Sequence, residues 1–245
     1  MSVDDDERLL RAASFAGVAD AYERARPGYP DDAVRWLAGE RPCDVVDLGA
    51  GTGKLTRSLV AHGHRVTAIE PLEPMLAQLR AAVPGVDAHL GSAELIPVPD
   101  ESVDVVTCAQ AFHWFDHAVA LAEIARVLRP GGRLALVWNT RDDSESWVKR
   151  LSTAMGELVA GRVVEEVVPS SALFEPFEQA TFSFVQRLDR AALRELVLSR
   201  SYCAIRTDEE RTPVLDAVEA IFDEQATDGT IDLSYLTECF RAAKL

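Results

Sequence analysis

Apolar positions along this chain follow two alternating rhythms, short unbroken runs and stretches with a period near 3.6 residues. Between Ser14 and Arg26, Phe15, Val18, Ala19 and Tyr22 recur at helical spacing. Arg26-Pro27-Gly28-Tyr29-Pro30 then breaks the pattern, because each proline disfavours helix at the residue before it. Asp31 and Asp32 are placed to cap a helix running towards Gly39. The first predicted strand, Cys43–Leu48, is short, β-branched and followed at once by glycines. The spacing then predicts a helix over Lys54–His62, a strand over His64–Glu70 and a helix over Glu73–Ala82. Strands follow over Val86–Leu90 and Val103–Ala109. A helix over Ala118–Leu128 ends in Arg129-Pro130-Gly131-Gly132, a turn leading to a strand over Arg133–Trp138.

Short buried-type strands alternating with amphipathic helices specify a parallel sheet with right-handed crossovers. The expected fold class is α/β, a Rossmann-like doubly wound sheet. Beyond Asn139 the rhythm changes. Ser144–Val159 reads as a helix, Gly161–Pro176 as irregular or partly helical, Ala180–Leu188 as a strand, Arg190–Leu198 and Thr212–Gln225 as helices, and Asp232–Leu245 as a strand. The predicted organisation is an N-terminal lid arm over 1–30, a core over 31–140, a helical cap inserted after strand five over 141–179, and a part completing the sheet over 180–245.

Composition narrows the function. Hydrophobic residues are 48% and charged residues 27%, a globular balance, and no apolar run reaches membrane-spanning length. The acidic start Met-Ser-Val-Asp-Asp-Asp-Glu is the reverse of a basic leader, so a soluble cytoplasmic protein with no membrane partner is expected. A net charge of −15 repels a polyanion, and without a Lys/Arg-rich cluster no nucleic-acid partner is expected. Cys43, Cys108, Cys203 and Cys239 are far apart and form no C-x-x-C pair, so neither a disulfide framework nor a metal site is expected. The sequence leaves the oligomeric state undetermined.

The candidate chemistry starts where strand one runs into Asp47-Leu48-Gly49-Ala50-Gly51-Thr52-Gly53. Glycines allow a sharp turn and a close ligand approach, and the amides offer donors to a polar group. A dinucleotide fingerprint would need a third glycine at Lys54, and a phosphate loop needs Ser or Thr where Leu55 stands. Glu70, closing strand two, stands where a carboxylate can accept hydrogen bonds from both ribose hydroxyls.

Val45-Val46-Asp47-Leu48-Gly49-Ala50-Gly51-Thr52-Gly53 resembles the first motif of class I S-adenosylmethionine (SAM)-dependent methyltransferases. The Glu70 strand end, Gly91-Ser92-Ala93-Glu94, Phe112-His113-Trp114-Phe115 and Leu128-Arg129-Pro130-Gly131-Gly132 resemble that family's later motifs in order. The likeness covers about residues 10–140. Phe15…Tyr22…Arg26-Pro27-Gly28-Tyr29-Pro30 and Gln110-Ala111-Phe112-His113-Trp114 further resemble a small-molecule subgroup related to trans-aconitate methyltransferases; Ser199–Tyr202 and Tyr235 fit its C-terminal pattern less specifically. The resemblance implies a seven-stranded sheet with an antiparallel last strand, and SAM as cofactor. Asp47, Gly49, Ala50, Gly51, Thr52 and Gly53 would line its methionine and ribose end. Glu70 would hold the ribose, Pro71 and Met75 would flank the adenine, and Ser92, Ala93 and Glu94 would meet its edge. Gln110, Ala111 and His113 would lie beside the methyl. Tyr22, Arg26 and Tyr29 would form a lid, with Arg26 a partner for the SAM carboxylate.

Methyl transfer is an in-line displacement that needs alignment and exclusion of water. His113 is a candidate base for a hydroxyl or amine acceptor, or a packed structural histidine. Trp114 is either pocket wall or core. Trp138 and Asn139, with Arg141 beyond them, follow strand five and either line the acceptor pocket or cap a loop. Transfer to an oxygen of an organic acid or secondary metabolite is the expected activity. A SAM-binding module without chemistry, a nicotinamide oxidoreductase and a nucleic-acid methyltransferase are the alternatives.

Overall fold

A computed structural model describes residues 23–155, 171–200, 203 and 206–245. It contains a sheet with the order β3-β2-β1-β4-β5-β7-β6. The strands are β1 (Asp44–Leu48), β2 (Arg65–Glu70), β3 (Asp87–Leu90), β4 (Val103–Ala109), β5 (Leu128–Arg141), β6 (Glu178–Asp189) and β7 (Thr230–Ala243). β1 pairs in parallel with β2 and β4, β2 with β3, and β4 with β5. The Asp142 N–H donates to the Ser234 carbonyl and the Lys244 N–H to the Gly132 carbonyl. Numbers fall on one strand as they rise on the other, so β7 runs antiparallel to β5. Ion pairs Arg241–Glu178 and Arg187–Asp232 show the same reversal between β7 and β6.

The chain divides into two compact units. Among the described residues, the sheet unit holds 28–139, 171–182 and 237–245. Alternation along its strands separates two buried layers. Val45, Val105, Ala135 and Val137 pack with Val34 and Leu37 of α1 (Asp31–Ala38) and with Leu55 and Leu59 of α2 (Lys54–Ala61). Val46, Leu48, Val106, Cys108, Leu134 and Leu136 join Leu121 and Ile124 of α4 (His117–Val127). α3 (Glu73–Ala82) follows β2 and buries Met75, Leu76 and Leu79. Arg126 ties the loop before β4 to α4, reaching Glu123, Asp100 and the carbonyls of Ile96 and Val98.

Among the described residues, the helical unit holds 23–27, 140–155 and those of 183–236. Its core joins Val148, Leu151 and Met155 of α5 (Ser146–Met155) to Leu193, Leu196 and Val197 of α6 (Arg190–Leu198). Leu215, Val218, Ile221 and Phe222 of α7 (Asp208–Gln225) complete it. Helices from both sides of β6 thus share one core. The bounds of α7 also differ. A capping box, Thr207 with Glu210, starts the helix ahead of the sequence-predicted Thr212 and carries it through Pro213.

Two further readings change. Asp31 and Asp32 lie in the first turn of α1 rather than capping it; Pro30 is the N-cap, with no side-chain cap bond. Arg129–Gly132, expected as a turn before strand five, is a bulge inside β5. Val103 pairs with Leu128 but Val105 with Arg133, so extra residues bow out of the ladder. A Cβ on Gly132 would lie 2.9 Å from the Arg129 carbonyl and 3.0 Å from the Asp104 carbonyl. All four cysteines are free thiols. Among the described residues, no helix is long and apolar enough to cross a membrane.

Backbone atoms cannot yield as a flexible side chain does. Gly132→Ala is therefore expected to cost about 1–3 kcal/mol, a fall in Tm of roughly 2–12 °C for a chain of this size. Gly28→Ala, where a Cβ meets nothing within 4 Å, should leave the melting curve unchanged. Thermal unfolding of the two variants beside the parent checks this.

Candidate functional site

Asp47 is fully buried near the end of β1. The register pairs it with Thr107 on β4, whose hydroxyl donates to Asp47 Oδ1 at 2.8 Å. From the first turn of α2, Thr56 donates to Oδ2 at 2.6 Å. Burial raises the Asp47 pKa to about 6, with both hydroxyls opposing the rise. The Asp47 carboxylate is thus a strut beneath the loop, accepting on both oxygens.

Above this strut the chain turns through Gly49 and Gly51 in the left-handed region, with φ of 62° and 59°. A Cβ on Gly49 would lie 2.6 Å from the Ala111 Cβ, so no side chain fits between the loop and the tip of β4. Gly51 faces open space. Its N–H donates to Glu70 Oε2 at 2.9 Å, while the Ala50 N–H reaches the Ile69 carbonyl at 3.1 Å. Gly53 is the N-cap of α2 and lends no side chain to the cap. Thr52 beside it buries a hydroxyl with no hydrogen-bond partner.

Glu70 closes β2 at 5% exposure. Its second oxygen, Oε1, accepts from the Leu72 N–H at 3.0 Å. Burial pushes its pKa up to about 7 against these two amides, and the Asp47 charge adds to the rise. Pro71 beyond it is exposed and Met75 on α3 is buried. In the loop after β3, Ser92 is half-buried, Ala93 is buried, and Glu94 Oε1 accepts from the Asp116 N–H at 2.9 Å.

The tip of β4 is held in an unusual shape. Gln110 sits at φ 60°, rare for a residue with a side chain and common at functional turns. Its N–H donates to the Val137 carbonyl, and its Nε2 to the Asn139 carbonyl at 3.2 Å. Ala111 leads into a single 3-10 turn, Phe112–Trp114. Phe112 is core, stacked on His117 with ring centroids 4.8 Å apart. His113 lies against Trp114 at 4.6 Å and buries Nδ1 without a partner. Burial, then the His117 charge, lowers its pKa to about 4, so the ring is neutral near pH 7. Because Ala111 and Phe115 both crowd Gly49, this turn sits beside the glycine loop.

The remaining sequence-predicted residues are less concentrated. Trp114 is half-buried and packs on the core. Trp138, expected in the acceptor pocket, is core instead, at 1% exposure and edge-on to Phe240. Asn139 is also a strut: Nδ2 donates to the Gly28 carbonyl at 2.9 Å and Oδ1 accepts from Thr237 at 2.7 Å. Tyr29 is half-buried against the sheet unit's core. Arg26 lies in the helical unit, donating from Nε to the Ser199 hydroxyl and from a terminal nitrogen to its carbonyl. Tyr22 lies outside the described residues. Thr56 and Thr107 escaped the sequence reading. A lone polar residue in the buried run Val105-Val106-Thr107-Cys108 was the available signal.

A family model described as a methyltransferase domain matches residues 46–136, the segment holding the loop, Glu70 and the tip of β4. An uncharacterised methyltransferase of Mycobacterium tuberculosis is 46% identical over 235 residues, spanning 94% of this chain and 95% of the relative. A malonyl-[acyl-carrier protein] O-methyltransferase of Methylococcus capsulatus is 38% identical over 143 residues, 54% of this chain and 52% of its own. A solved structure assigned as a type II methyltransferase of Anaeromyxobacter dehalogenans superposes with a TM-score of 0.68 at 27% identity, covering 89% of this chain and 97% of that one. By full-length likeness, matched domain and shared fold, the chain belongs to the class I SAM-dependent methyltransferases.

Proposed function

We propose that this protein transfers the methyl group of SAM to an oxygen atom of a small organic acid or secondary metabolite. Within the family we place it beside the small-molecule enzymes resembling trans-aconitate methyltransferases. The observation carrying the proposal is the pairing of the open Gly51 turn with the carboxylate of Glu70. A diol held by a carboxylate, under a loop that admits no Cβ at Gly49, suits a ribose with both hydroxyls free. The unpartnered Thr52 hydroxyl at the same turn supplies a further polar contact. Bound SAM supplies an electrophilic methyl on a sulfonium. The protein's part is to hold the acceptor in line and keep water out.

His113 is the proposed proton acceptor for a hydroxyl substrate. Its Nδ1 is unpartnered and the ring is neutral near pH 7, so it accepts a hydrogen bond from the attacking group. The net charge of −15 opposes a polyanion and so disfavours a nucleic-acid acceptor. The Methylococcus relative is named for O-methylation, which supports an oxygen as the atom methylated.

Incubation with methyl-labelled SAM and fractionated cell extract should place label in the small-molecule fraction. Label on nucleic acid, or none despite calorimetric binding of S-adenosylhomocysteine, would reject the assignment. Glu70 makes cofactor binding pH-dependent. With a pKa of about 7 it holds its proton below neutrality. Ribose hydroxyls favour the carboxylate, so binding expels that proton. Affinity should rise up to about tenfold per pH unit as pH approaches 7, and level off above. Calorimetry in buffers of different ionisation heat reads the released proton, and Glu70→Gln should abolish it. For His113 the acid limb of kcat/KM should fall near pH 4, not near the ordinary histidine value. His113→Asn should lower kcat about 100-fold or more with a hydroxyl acceptor.

A further inference from the structure

One buried amide in the sheet unit gathers bonds from three separate stretches of chain. Asn139, near the end of β5, is 6% exposed, and Thr237 on β7 is fully buried. A carbonyl only accepts, so the Asn139 amide nitrogen faces Gly28 and donates to its carbonyl at 2.9 Å. The amide oxygen is thereby left to Thr237, whose hydroxyl donates to it at 2.7 Å. Turning the amide over would set oxygen against the Gly28 carbonyl, so the two bonds fix one orientation. Gly28, Asn139 and Thr237 are also the sheet unit's residues at three of the places where the chain passes to the helical unit.

The same asparagine holds the tip of β4. Gln110 keeps φ at 60°, a conformation that is costly for a residue with a side chain. Two hydrogen bonds to the end of β5 hold it there. Its N–H donates to the Val137 carbonyl at 2.9 Å, and its Nε2 to the Asn139 carbonyl at 3.2 Å. Ala111 comes next, seated where a Cβ on Gly49 would lie 2.6 Å from its own, and the short turn carrying His113 follows. A strained turn persists only where its surroundings over-determine it. Here those surroundings end at a side chain pinned by a hydroxyl on β7. We propose that Asn139 and Thr237 are positioning residues for methyl transfer, acting through Gln110 to hold the tip of β4 against the glycine loop. The inference rests on the reading that this tip borders the methyl group of SAM. The glycine loop is braced separately, by Asp47 on Thr56 and Thr107. Loss of the link therefore lowers turnover and spares cofactor affinity.

The test uses the full chain and two readouts, hydrogen exchange across Gln110–Trp114 and kinetics with methyl-labelled SAM. Thr237→Val nearly keeps the side chain's shape and removes the donor. Exchange across Gln110–Trp114 should then speed up about tenfold, the loss of one buried hydrogen bond. The misplaced tip should lower kcat about tenfold or more, with S-adenosylhomocysteine affinity unchanged. Thr237→Ser, which keeps the hydroxyl, should return both readouts towards the parent. Val34→Ala, in the core around α1, removes buried volume without touching the link and should change neither. The proposal is overturned if exchange or kcat in Thr237→Val matches the parent, if serine fails to rescue, or if Val34→Ala has the same effects. Parent protein that binds no S-adenosylhomocysteine would instead overturn the SAM reading on which the inference rests.

Discussion

A carboxylate stripped of water at the end of β1 organises the rest of the sheet unit's working end. Asp47 has no solvent contact, so its charge is sustained by the hydroxyls of Thr107 and Thr56 and by the Thr56 backbone N–H. Those hydroxyls belong to β4 and α2, the elements flanking the glycine loop. One buried acid therefore fixes the strand before the loop, the helix after it and the strand beside it. The cost of desolvation makes this arrangement specific: each donor removed leaves the buried carboxylate less compensated.

Rigidity at that point propagates outward by contact. Gly49 can approach Ala111 only because neither position carries more than a methyl group. The Gly51 amide is aimed at Glu70, and the Asp47 charge below helps hold Glu70 near its titration point. The two acids divide the labour by environment. Asp47 is saturated with donors and structural, whereas Glu70 faces the open turn with a proton it can lose. This matches the general pattern in which binding sites place titratable groups under partial desolvation.

The β-branched runs, the glycine turn and Glu70 were legible in the sequence because buried parallel strands and positive-φ turns leave local signatures. Local patterns mislead where a long-range contact decides. Arg129-Pro130-Gly131-Gly132 has the composition of a turn, yet pairing with β4 on both sides turns it into a bulge. Trp138 and Asn139 stand at the sheet edge where ligands bind in related folds, but Phe240 and Thr237, about a hundred residues on, claim them as core and strut. The capping box Thr207–Glu210 lies ahead of the predicted start at Thr212, where the apolar periodicity is absent.

The strand order has a consequence for how the molecule is made. β7 is the last strand in chain order, yet it lies between β5 and β6. Until residues 230–243 have left the ribosome, β5 presents an open edge and β6 has no neighbour at all. Completion of the sheet therefore falls after translation of its other six strands, and nascent chains stalled short of β7 are the species most in need of a chaperone.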